Sequence, residues 1–153
     1  MTDPNFGICF VGDGYSTSQK IMGRQSAGKS LIRGLARKWP TSIISGYGTG
    51  TNSANAMAQQ LKSSGWSGKV RWFEANANKA PAGLNALYFP APPTKDIAQQ
   101  RNRLGSASYS IFGVTHTLSS AGAMDQIADL ILPPFQPWDA LICTQVMRMK
   151  KGP

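Results

Sequence analysis

Short apolar runs alternating with stretches of helical spacing constrain this 153-residue chain more than any other feature. Phe6 to Val11 reads as a buried strand, closed by Gly12-Asp13-Gly14. Helical spacing then runs from about Gly23 to Lys38, and Pro40 stops it. Ser42 to Ser45 is a second strand, followed by a glycine-rich turn and a helix around Ala54 to Lys62. Lys69 to Phe73 gives a third strand, and Ala86 to Phe89 a short fourth, ended by Pro90, Pro92 and Pro93. A polar helix from about Lys95 to Arg103 precedes the strand Ser110 to Val114. After it, Ala121, Met124, Ile127, Ala128 and Ile131 recur at helical spacing, with Asp125 and Asp129 opposite. Pro133-Pro134 breaks the chain, and Trp138 to Cys143 makes the last strand. The alternation predicts an α/β, Rossmann-like fold: a mostly parallel sheet with helices on both faces. One domain over residues 1–144 and a frayed basic tail over 145–153 complete the expectation.

Composition narrows the function classes. No apolar run approaches the roughly 18 residues of a membrane span, and Met-Thr-Asp-Pro-Asn lacks the pattern of a secretory signal. A cytoplasmic protein is expected. Cys9 and Cys143 each sit inside an apolar run and are expected as buried free thiols. His116 is the only histidine, so no metal site is expected. The net charge is +9 and Glu74 is the only glutamate, which suits phosphate-bearing ligands, an anionic membrane surface or nucleic acid. Against nucleic acid, the positive charges are spread along the chain rather than interleaved with aromatics.

His116 falls where a strand hands over to a helix, with Thr117 or Ser119 as N-cap. That is the carboxyl rim on which open α/β sheets bind ligands, and imidazole there can move a proton or polarise an oxygen. A hydrogen-bonded structural histidine is the plainer alternative. Gly23-Arg-Gln-Ser-Ala-Gly28-Lys29-Ser30 matches the phosphate-loop pattern GxxxxGK[ST] letter for letter. The pattern requires a strand running straight into its first glycine, whereas here the strand stops near Val11 and a polar stretch intervenes. Leu31, Ile32 and Leu35 mark the buried side of the helix, and Lys29, Arg33 and Arg37 step along the other side as a basic stripe. Such a stripe is either a solvated face or a contact with anionic lipid. Gly12, Gly14 and Gly23, with Arg24 or Gln25 nearby, form either a loop allowing close approach of a diphosphate or sugar, or an ordinary connection. Trp39 and Trp138 suit packing, and no binding role falls to Trp66 or Trp72.

Val11-Gly12-Asp-Gly14-Tyr15 with Gly23-Arg24-Gln25-Ser-Ala27-Gly28 resembles the opening of family-4 glycosyltransferases of the GT-B fold. So do Gly113-Val-Thr115-His116-Thr117-Leu-Ser-Ser120 and Pro137-Trp138-Asp139-Ala140-Leu141-Ile142-Cys143-Thr144. The resemblance implies retaining transfer from a nucleotide sugar to a saccharide or lipid acceptor, across a cleft between two Rossmann-like domains. It implies no obligatory metal, and a location peripheral to the inner face of the membrane. It places His116 near the donor sugar, with Gly12, Gly14, Tyr15, Gly23, Arg24, Gln25, Thr115 and Thr117 lining the substrates. The family's second, donor-binding domain and its paired glutamates have no counterpart in these residues. The chain is therefore expected to be the acceptor-side half, truncated or partnered by a separate donor-binding domain, and inactive alone.

Overall fold

Six strands, β1 (Phe6–Cys9), β2 (Ile44–Gly48), β3 (Val70–Glu74), β4 (Ala86–Tyr88), β5 (Ser110–Thr115) and β6 (Ala140–Cys143), form one sheet. Their order is β3-β2-β1-β4-β5-β6, and every neighbouring pair is parallel. The computed structural model describes residues 3–11, 15, 23–75, 80–116 and 121–143. Helices α1 (Gly23–Lys38), α2 (Gly50–Ser63), α3 (Lys95–Asn102) and α4 (Ala121–Asp129) separate the strands. The fold is α/β and Rossmann-like, as the alternation predicts.

Right-handed crossovers explain the layering. From β1 the chain steps outward through β2 to β3, then crosses back and steps the other way through β4, β5 and β6. The two series of helices therefore fall on opposite faces. Successive strand residues alternate between those faces. Ile8 and Phe10 share one core with Ile32 and Leu35 of α1 and Met57 and Leu61 of α2. Cys9, Tyr47, Leu87 and Ile111 share the other with Ala98 of α3. Each fully buried aliphatic side chain contributes roughly 1.5–3 kcal/mol.

A buried ion pair fixes the second layer. Arg101 of α3 is 0 % exposed. Its Nη1 donates to Asp139 Oδ1 at 2.5 Å and to the Tyr109 carbonyl, and its Nη2 donates to the Pro134 carbonyl. Asp139 Oδ1 also accepts from the Ile111 amide, and its Oδ2 from the Gln136 amide. One carboxylate thus ties α3, β5 and the approach to β6. On the same face, Lys95 Nζ lies 2.7 Å from Asp129 Oδ1, joining α3 to α4.

Several expectations shift. The second strand runs to Gly48 instead of stopping at Ser45, because the glycines read as a turn are strand residues in a crowded place. A Cβ on Gly46 would lie 2.6 Å from the Met57 sulfur and 2.7 Å from the Trp72 ring. The turn comes later, at Gly50, with φ +76°, and the helix starts there, four residues before Ala54. The face of α4 expected to be buried is not: no α4 residue is buried, Met124 is half exposed and Ile131, just beyond, is 85 % exposed. The last strand begins at Ala140 rather than Trp138; Ile142 and Cys143 are exposed, so the second thiol is not buried. β6 is an edge strand, and among the described residues nothing covers it. Trp138 is exposed rather than packed, whereas Trp39 meets Phe6 edge-on and Trp66 is buried, donating to the Ser42 carbonyl. The tail over 145–153 lies outside the described residues.

Candidate functional site

The reversal of strand order between β1 and β4 leaves a crevice at the carboxyl ends of the strands, the usual ligand position in open α/β sheets. A cleft of about 470 Å³ opens there. Its walls are Cys9 at the end of β1 with Phe10 and Val11 beyond it, Tyr47 to Thr49 at the end of β2, Ser53 of α2, and Thr94, Asp96, Ile97 and Gln100 at and within the start of α3. Local sequence sets this arrangement. Thr49 and Thr94 are the extended N-caps of α2 and α3, and neither side chain makes a capping hydrogen bond. Glu74, the last residue of β3, takes over at α2: the Gly50 amide donates to its Oε1 at 2.9 Å and its Oε2 at 3.1 Å. A carboxylate there complements the positive end of the helix. Across the cleft the Tyr47 hydroxyl donates to Gln100 Oε1 at 2.5 Å. Burial of Tyr47 raises the phenol pKa, so it remains a neutral donor at physiological pH. Cys9 has its thiol pushed up to about 12 by burial, which removes it as a nucleophile.

The sequence-predicted residues fall partly on the same rim. His116 is half-buried in a bend directly after β5, at the carboxyl end of the sheet as expected, but it does not line the cleft. Thr115 is buried within β5 opposite Cys143. Tyr15 is a correction: it is 1 % exposed, stacked on Phe10 at 4.6 Å, and its hydroxyl donates to the Cys9 carbonyl. Its phenol belongs to the core and is closed to a substrate. Gly23, Arg24 and Gln25 open helix α1 rather than lying in a loop. Gly12, Gly14 and Thr117, with the expected N-caps Thr117 and Ser119, lie outside the described residues.

All eight residues of the phosphate-loop pattern, Gly23 to Ser30, lie within α1. A helix directs its amides along its own axis into i→i−4 bonds, so the segment forms no cradle around a phosphate. Lys29, Arg33 and Arg37 do follow the predicted stripe, and they line a separate groove of about 510 Å³ with Ser63 and Ser64 at the end of α2. Between Arg103 and Arg148 there is no lysine or arginine. Sequence reasoning missed Tyr47, Thr94, Asp96 and Gln100. Thr-Lys-Asp after the proline run was readable as a helix start, but only the strand order reveals that this start borders the switch point.

No protein-family model, curated protein or solved structure matches the chain. Among the described residues, no helix is long and apolar enough to cross a membrane, and no three His, Cys, Asp or Glu side chains are grouped to hold a metal ion.

Proposed function

We propose that this chain is the acceptor-side Rossmann-like domain of a retaining glycosyltransferase of the GT-B type. The observation that carries the reading is the crevice at the β1/β4 switch point, lined by hydroxyl, amide and carboxyl groups. His116 stands further along the same carboxyl rim, at the end of β5. In this reading the cleft holds a saccharide or the sugar end of a lipid acceptor, and a second Rossmann-like domain brings a nucleotide sugar to the rim. Imidazole at His116 contacts the transferring sugar and handles its proton, and the reaction needs no metal. The basic groove at Lys29, Arg33 and Arg37 supports a place against an anionic membrane surface on the cytoplasmic side.

The test is sugar transfer by the chain joined to a nucleotide-sugar-binding domain of the same architecture. Transfer with retained anomeric configuration is expected, and His116→Ala should lower kcat about 100-fold while the melting temperature stays the same. Wild-type rates in that variant would remove the histidine from the reaction. Magnesium-dependent ATP hydrolysis abolished by Lys29→Ala would replace the transferase reading with an NTPase.

A further inference from the structure

We infer that the switch-point cleft selects an uncharged, hydroxyl-rich ligand, a neutral saccharide, and turns away phosphate-bearing ones. This rests on the reading of the cleft as the acceptor side of a transferase, and it narrows that reading to the class of acceptor.

The argument begins with what an anion needs. In a protein it is held by arginine or lysine, or by the free amides of a helix N-terminus. Although the chain carries +9, none of the described residues lining the cleft is a lysine or arginine. Two helix N-termini border the cleft, and each already has a carboxylate of its own. At α2 the Gly50 amide is taken by both oxygens of Glu74. At α3 Asp96 stands in the first turn and lines the cleft itself. A phosphate entering would meet two negative groups. Three cations, Lys29, Arg33 and Arg37, line the separate groove on α1, so the molecule separates an anion-favouring surface from a cation-free cleft.

The groups that remain suit hydroxyls. Thr49, Ser53 and Thr94 offer hydroxyls that donate or accept, and the first and last are uncommitted to capping. Asp96 accepts from a sugar hydroxyl, the stronger charge-assisted kind of hydrogen bond. Gln100 spends its oxygen on the Tyr47 phenol, which leaves its amide NH2 as the group it can offer as a donor. Val11 and Ile97 give the apolar surface that a sugar ring's C–H face needs. The volume lies within the range of small-molecule sites.

The experiment is an amide NMR titration of the full chain with four probes: maltotriose, N,N′-diacetylchitobiose, glucose 6-phosphate and inorganic phosphate. At least one neutral sugar should move the amides of Gly48, Thr49, Asp96 and Gln100, and neither phosphate probe should move them. Asp96→Asn should weaken sugar binding about tenfold, and Thr94→Lys should admit glucose 6-phosphate. Both positions are exposed, so the variants keep the fold. The inference is overturned if glucose 6-phosphate moves those amides more strongly than the neutral sugars, or if no neutral sugar moves them. Neutral-sugar binding here, combined with no transfer in the two-domain enzyme, would remove the transferase reading alone; transfer to a phosphorylated acceptor would remove this inference alone.

Discussion

Arg101 shows how one side chain can decide whether a layer holds. Its guanidinium is wholly buried and pairs with Asp139. Arg101→Met would leave the Asp139 carboxylate buried without its counter-charge, and a loss of about 3–5 kcal/mol is expected in urea unfolding. Gly113 is a steric case: a Cβ there would lie 2.5 Å from the Ala91 carbonyl and 2.6 Å from Pro93 Cδ. Gly113→Ala should therefore cost about 1–3 kcal/mol by the same measurement. Cys9 sets a pH dependence. Its thiol ionises near 9.0 when unfolded and near 12 when folded, so above pH 9 the unfolded state sheds its proton first. Stability is complete below pH 9 and falls by about 1.4 kcal/mol per unit as pH rises towards 12. The buried hydroxyls of Tyr15 and Tyr109, also shifted upward, add loss of the same sign above pH 10. Melting temperatures should hold steady from pH 8 to 9 and fall from there to pH 11, and Cys9→Ala should delay the onset to near pH 10.

At the scale of elements, legibility followed burial. Strands β1, β4 and β5 were readable from short apolar runs because both of their faces are covered. Helix α1 was readable from Ile32 and Leu35, which do face the core. Helix α4 carries the same periodicity, yet none of its residues is buried; spacing reports an amphipathic helix, not what lies against it. Met124→Gln should accordingly change stability by less than about 0.5 kcal/mol, where a buried position would lose several times more. β2 was misplaced because glycine signals both a turn and close packing, and Gly46 serves the second. The phosphate-loop letters misled for a related reason: the pattern records residue types, while the chemistry requires a loop, and Gly23 to Ser30 is helix. The Glu74 contact at the start of α2 was invisible, being a pairing of residues 24 positions apart. Glu74→Gln should destabilise by about 0.3–1 kcal/mol, read as a lower urea midpoint.

Over the whole molecule, charge and topology divide the labour. Strand order was not legible residue by residue, but alternation with right-handed crossovers admits few arrangements, and the observed one places its switch point between β1 and β4. The rim was foreseen through His116; the cleft itself was not, since Tyr47 lies nearly fifty positions from Thr94, Asp96 and Gln100 and shares no motif with them. Lys29, Arg33 and Arg37 line the α1 groove, whereas Asp125, Asp129 and Asp139 fall in a stretch, from Leu104 to Met147, without lysine or arginine. Ligands of opposite character are thereby directed to different places on one small domain. Amide hydrogen exchange with and without saturating maltotriose or N,N′-diacetylchitobiose tests this most directly. Slowed exchange at Gly48 to Ser53 and Asp96 to Gln100 is the predicted result; slowing confined to the Lys29–Arg37 groove, or to the amino ends of the strands around Asn5 and Ile43, would contradict it.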